Sequence, residues 1–171
     1  MPVADQGINQ ERYMLIPRTL VFLSRDDKLL LLKGGPQKRL WANLYNGIGG
    51  HIEPDEDVTS AAYREIKEET GLIPDDLWLC MTIIIDTGQN PGIVIFVFRG
   101  QSIQGEPSTS SEGVLEWVEI DQIRNKPVVE DLLMILDHIM AMRKGDPPLS
   151  VHYRYDATGS LISNISRQIK E

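Results

Sequence analysis

Apolar residues recur along the chain with two different periods, and the places where the period changes divide it into elements. Runs at 19–23 (TLVFL) and 29–32 (LLLL) flank a polar stretch at 24–28, the pattern of two strands joined by a tight turn. A loop containing Gly34, Gly35 and Pro36 leads to Trp41, and residues 46–53 (NGIGGHIE) read as extended but glycine-rich. From 58 to about 70 the period becomes helical, with Asp57 placed to cap the start and Gly71 to end it. Within that helix Thr59, Ala62, Tyr63, Ile66 and Thr70 gather on one flank, which is expected to be the buried one. Strands follow at 78–86 and 93–99 across a turn-prone 88–92, then a loop-like stretch at 104–111 and a strand at 114–120. The longest helix is expected over 128–143, with Leu132, Leu133, Ile135, Leu136 and Ile139 on its apolar side. The tail alternates from Val151 to Tyr155, turns at 156–159 and resumes at Leu161, so a β-hairpin is expected at about 150–165. Strand, helix, strands and helix in that order predict an α/β (α+β) fold, a mixed sheet with helices on both faces.

Length and composition narrow the class. A chain of 171 residues fits one domain over 1–171, and 42% hydrophobic with 25% charged residues is ordinary globular usage. The longest unbroken apolar run, 93–98, is far below the ~20 residues of a membrane span. No basic stretch followed by an apolar one opens the sequence, so no secretory leader and no membrane partner are expected, and the location expected is cytoplasmic. Cys80 is the only cysteine, which excludes an intrachain disulfide and a cysteine-built zinc site. The net charge is −8, and seven acids against two bases fall between Gly50 and Leu72. An acidic chain argues against a nucleic-acid partner, whereas a local cluster of carboxylates is what a hard divalent cation needs.

That window reads GHIEPDEDVTSAAYREIKEETGL. Glu65, Glu68 and Glu69 stand at i, i+3 and i+4 and share one face of the helix. Such like-charge pairs destabilise an isolated helix by ~0.2–0.5 kcal/mol each, and a bound cation reverses the sign. Oxygen ligands in this number suit Mg²⁺, with Mn²⁺ the alternative. Arg64 is placed to hold a carboxylate through a bidentate pair. Ala61 and Ala62 leave room for a neighbouring backbone, which Gly47, Gly49 and Gly50 supply without side-chain cover.

Gly50, Glu56, Arg64, Glu65, Ile66, Glu68, Glu69, Gly71 and Leu72 match all nine specified positions of the Nudix box, G-x5-E-x7-R-E-U-x-E-E-x-G-U, where U is aliphatic. On that window the chain resembles the Nudix hydrolases. The resemblance implies the α/β/α sandwich of that family and hydrolysis of a nucleoside diphosphate linked to another moiety, with Mg²⁺ or Mn²⁺. It implies Glu65, Glu68, Glu69 and the Gly49 carbonyl as metal ligands, with Glu56 and Arg64 supporting them from behind.

Flanking segments are similar to the oxidised-purine nucleoside triphosphatases within that family: Tyr45–Gly50 (YNGIGG), residues 102–107 (SIQGEP), and Glu112 five residues before Trp117. This similarity implies that Asn46 reads a purine edge, that Glu112 is a further ligand or base, and that Glu130 and Asp131 take the place of an acidic base-reading pair. The sequence departs from that pattern in carrying Glu130 for an aspartate and Val128 where a stacking tryptophan is expected. The expected activity is therefore cleavage of a nucleoside triphosphate, such as 8-oxo-dGTP, to the monophosphate and pyrophosphate. Hydrolysis of a nucleoside diphosphate sugar such as ADP-ribose is the alternative, and a nucleotide-sensing domain without turnover is a third. The partner expected is a nucleotide, with the chain itself a monomer or homodimer. His51, His138 and His152 are not spaced as a metal set, and Trp41 and Tyr45 read first as packing residues.

Overall fold

The strand that organises the molecule is β1 (Leu15–Arg25), because three different partners use its two edges. In the computed structural model, which describes residues 2–7, 9, 11–102, 104–108 and 112–166, it belongs to an eight-stranded sheet. The other strands are β2 (Lys28–Gly34), β3 (Tyr45–Asn46), β4 (Asp76–Ile85), β5 (Gly92–Gln101), β6 (Gly113–Glu119), β7 (Leu149–Tyr155) and β8 (Leu161–Ser166). Their order is β3-β2-β1-β5-β4-β7-β8, with β6 pairing β2. The sheet is mixed: β1 runs parallel to β5 and β4 parallel to β7, while the remaining ladders are antiparallel. The tail hairpin is thus β7 and β8, and β7 extends the main sheet instead of standing apart from it.

Along its free edge β1 changes partner. Leu23–Arg25 pair with β2 in a hairpin, whereas Thr19 and Val21 pair with the glycine segment through Thr19 N–H to the Gly50 carbonyl (2.9 Å) and Val21 N–H to the Ile48 carbonyl (2.6 Å). The hairpin splays, and the gap is where the site lies.

Helix α1 (Val58–Thr70) covers one face and α2 (Leu132–Ile139) the other. The alternation of β1 feeds both layers: Val21 and Leu23 pack with Ala62 and Ile66, and Phe22 packs with Leu132, Ile135, Leu136 and Ile139. Both faces of the sheet are therefore buried, which is why β1, β2 and β5 read as continuous apolar runs.

Two expectations are corrected. The buried side of α1 is formed by Ala61, Ala62, Ile66, Glu69 and Thr70, while Thr59 and Tyr63 are exposed. The helix is rotated so that Glu69 faces inward, which apolar periodicity does not foresee. The second helix is shorter than 128–143. Val128 bridges Tyr45 and the Val129 N–H donates to the Tyr45 carbonyl (3.1 Å), so this stretch continues beside β3. At the other end Arg99 donates to the carbonyls of Ile139 (2.7 Å) and Met142 (3.2 Å), taking acceptors that further helical turns would use. The loop expected over 104–111 lies in part outside the described residues, as do Ile103 and residues 109–111.

Candidate active site

Helix α1 is fixed at both ends by its own sequence. Asp57 Oδ1 accepts from the Thr59 and Ser60 amides (2.8 and 3.0 Å), and Gly71 takes the left-handed conformation (φ 72°) with its N–H on the Lys67 carbonyl. These caps and the buried Ile66 set the rotation of the helix, and the rotation aims Glu65 and Glu69 at the glycine segment.

The glycines there are spaces. A Cβ on Gly50 would lie 2.5 Å from Glu65 Oε1, and a Cβ on Gly47 would lie 2.8 Å from the Leu20 side chain. Gly49 has φ 152° and its Cβ would strike the Thr19 carbonyl, so only glycine suits that position. The ladder with β1 uses the carbonyls of Ile48 and Gly50, leaving that of Gly49 outside it. The Gly49 N–H donates to Glu69 Oε2 (3.3 Å).

Arg64 gathers the carboxylates. Its Nε and Nη2 grip Glu56 in a bidentate pair (3.0 and 2.7 Å), its Nη1 reaches Glu65 (2.8 Å) and Glu68 (3.1 Å), and its Nη2 also donates to the His51 carbonyl (2.9 Å). Glu56 accepts from the Glu53 amide as well (2.8 Å), and Arg64 with this amide holds its carboxyl below the usual range. Glu69 behaves oppositely. Buried at 7% exposure, with the charges of Glu112 and Glu65 nearby, its carboxyl is pushed up to about 7, and desolvation is the largest cause. Glu112 forms an ion pair with Lys38 (2.5 Å).

Among the described residues no three His, Cys, Asp or Glu side chains stand together as a closed metal-binding group. The reason is visible: Glu65 and Glu68 turn to Arg64, and Glu112 turns to Lys38. The donor chemistry nonetheless fits a hard divalent cation. All the side-chain donors are carboxylate oxygens, the Gly49 carbonyl is beside them, and the buried Glu69 carries like-charge repulsion that a cation would relieve.

Beside this face opens a cleft of about 530 Å³. Gly49, Gly50, Lys38 and Glu112 line it, and so do Asn46, Glu130 and Asp131, so residues that the sequence separates by more than eighty positions meet in one cleft. Asn46 Oδ1 accepts from the Gly47 amide (2.8 Å), which leaves its NH₂ group as the donor available to a ligand. Asp131 stands at the cap position of α2 without capping it, and burial raises its carboxyl pKa. Val128, placed on the sequence pattern where a stacking tryptophan is expected, is not part of the cleft, but Trp41 is, half-exposed and at φ 59°.

A Nudix domain model matches residues 14–138, most of the chain. The protein belongs to the Nudix hydrolase family. Its relatives include the oxidized purine nucleoside triphosphate hydrolase of Danio rerio, 33% identical over 61% of this chain and 67% of that one. The uncharacterized Nudix hydrolase YvcI of Bacillus subtilis is 34% identical over 82% of this chain and 87% of its own length. The fold is similar to that of a MutT protein from Bacillus halodurans, with a TM-score of 0.74 over 88% of this chain and 97% of that one at 24% identity. The family places this chain among enzymes acting on nucleotide substrates.

Several residues of this Nudix cleft carry no signal in the sequence. Arg18, Thr19, Lys38 and Tyr153 line it from β1, the loop after β2, and β7. Alternation in the tail places Tyr153 on one face of its strand, but not what that face meets.

Proposed function

We propose that this Nudix hydrolase cleaves a purine nucleoside triphosphate, of which oxidised forms such as 8-oxo-dGTP are the favoured class, to the monophosphate and pyrophosphate with Mg²⁺ or Mn²⁺. The observation that carries this reading is that Asn46, Glu130 and Asp131 line the same cleft as Gly49, Gly50 and Glu112. A base at the first set leaves its phosphates to reach the second.

The Asn46 NH₂ group donates to a base oxygen or ring nitrogen, and the Asp131 carboxyl accepts from base N–H groups; together they favour a purine edge carrying both functions. Leu40 and Trp41 offer an apolar surface to the ring. Lys38 draws in the polyphosphate, for which it leaves Glu112. Glu65, Glu68, Glu69, Glu112 and the Gly49 carbonyl would hold the cation, with Arg64 and Glu56 fixing the carboxylates. Bound there, the cation would neutralise phosphate charge and lower the pKa of the attacking water. One carboxylate of this set would take the proton of that water.

The similarity to an oxidized purine nucleoside triphosphate hydrolase supports the choice of substrate class. The cation assignment is tested with Glu68→Gln and Glu69→Gln. Each should lose about 10²-fold or more in kcat with the far-UV spectrum unchanged, by the scale of one lost charge-stabilising group. Near-wild-type turnover in both would overturn the assignment.

A further inference from the structure

Four buried polar atoms among the described residues lack a hydrogen-bond partner, and three of them belong to residues lining the cleft: Arg18 Nε, Thr19 Oγ1 and the Tyr153 hydroxyl. Native proteins leave few such groups, so three along one cleft mark it as a place where hydrogen bonds are completed only on binding, to the ligand or to a neighbour that the ligand moves.

Tyr153 is the most informative of them. Its side chain is 1% exposed and packs in the apolar layer under α2, held by the pairing of β7 with Ile85 of β4 and Ser163 of β8. Phenylalanine would fill that layer equally well, so packing does not require the hydroxyl. That hydroxyl lies beside the Asp131 carboxyl, within the reach at which a hydrogen bond between them shifts both groups, but out of line for a well-formed bond. Asp131 in turn stands at the start of α2 without capping it, so the helix does not fix its carboxylate either. A buried hydroxyl and a half-buried carboxyl thus stand side by side in the cleft that receives the base on the function proposed above.

We propose that Tyr153 is the positioning residue of the base-reading wall: its hydroxyl donates to the Asp131 carboxylate when a purine base enters, fixing the oxygen that faces the base. The proton stays on the tyrosine, and the contact to the ligand is made by Asp131. The flush, buried hydroxyl does not itself reach the ligand. The inference gives the C-terminal hairpin a role in the site, since β7 brings the hydroxyl to the cleft.

The test is a double-mutant cycle of Tyr153→Phe and Asp131→Asn, with KM and kcat measured on the preferred triphosphate and melting temperature measured without ligand. Tyr153→Phe should raise KM roughly 3- to 10-fold, the net scale of one ordinary hydrogen bond, and change kcat less than twofold. The melting temperature should hold or rise, because a hydroxyl without a partner is removed; a structural bond to Asp131 would lower it instead. On the Asp131→Asn background the same substitution should add almost nothing. If Asp131→Asn raises KM while Tyr153→Phe does not, or if the two effects multiply, Tyr153 does not act through Asp131 and the inference is overturned. If Asp131→Asn leaves KM unchanged, the base-reading assignment of the cleft fails and this inference falls with it.

Discussion

Gly50→Ala tests whether the glycine segment is there to seat Glu65. Gly50 is not among the glycines in the left-handed region, so its backbone accepts alanine, but the added Cβ would lie 2.5 Å from Glu65 Oε1 and 2.7 Å from its Cδ. Ordinary contact begins near 3.4 Å, so the carboxylate must retreat by about 0.9 Å. The hydrogen bond from Arg64 Nη1 at 2.8 Å leaves it no slack in that direction without also moving Arg64 and its grip on Glu56. A displacement of ~1 Å in a positioned group costs on the order of 10²-fold in rate, about 2.7 kcal/mol of transition-state stabilisation. Steady-state pyrophosphate release at saturating Mg²⁺ should therefore show kcat down about 10²-fold with KM changed far less. The fold should persist, since only a side chain must give way. Gly49→Ala is the contrasting variant: with φ 152° and the Thr19 carbonyl in its path it should unfold at distinctly lower temperature. A Gly50→Ala enzyme with kcat within twofold of wild type would refute the reasoning.

Two further expectations follow from the same carboxylates. In the folded, cation-free chain Glu69 keeps its proton to about pH 7, against an ordinary 4.5, so between those values the folded state binds more protons than the unfolded. Stability should then fall as pH rises through this window, by on the order of 3 kcal/mol from this group once above it. Urea unfolding of wild type and Glu69→Gln at pH 5 and pH 8 checks this: the substitution should flatten the fall, and equal falls in both would contradict the cause given. Glu56→Gln breaks the bidentate grip on Arg64 without touching the glutamates that would hold the cation. It should weaken Mg²⁺ affinity or activity about 10- to 100-fold, the scale for residues that orient ligands, as read from a Mg²⁺ titration of turnover. An unchanged titration would mean that Arg64 is held well enough without Glu56.

Local signals were legible in the sequence and long-range ones were not. Asp57 and Gly71 are caps whose geometry depends on residues within four positions, and α1 begins and ends where they predict. The strands expected from apolar runs are present because both faces of the sheet are covered. The helix expected over 128–143 failed at both ends for non-local reasons, the pairing of Val128 and Val129 with Tyr45 and the reach of Arg99 to Ile139 and Met142. The buried flank of α1 was read correctly at Ala62, Ile66 and Thr70 and wrongly at Thr59 and Tyr63, because a buried glutamate defeats a reading based on apolar periodicity. Spacing alone placed Glu65, Glu68 and Glu69 on one helix face, and the structure adds what spacing lacks: Arg64 as their hub, Gly50 as the space for Glu65, and the burial of Glu69. The far wall of the cleft draws on β1, β7 and the chain before α2, and no local pattern announces that Tyr153 meets Asp131.

The most direct test of the central claim is a comparison of kcat/KM at fixed Mg²⁺ for unmodified and 8-oxo purine nucleoside triphosphates, ADP-ribose and dinucleoside polyphosphates, for wild type and for Asn46→Ala. An oxidised purine triphosphate should be preferred, pyrophosphate should be released, and Asn46→Ala should erode the preference. Turnover confined to ADP-ribose, or a triphosphate preference untouched by Asn46→Ala, would contradict that claim.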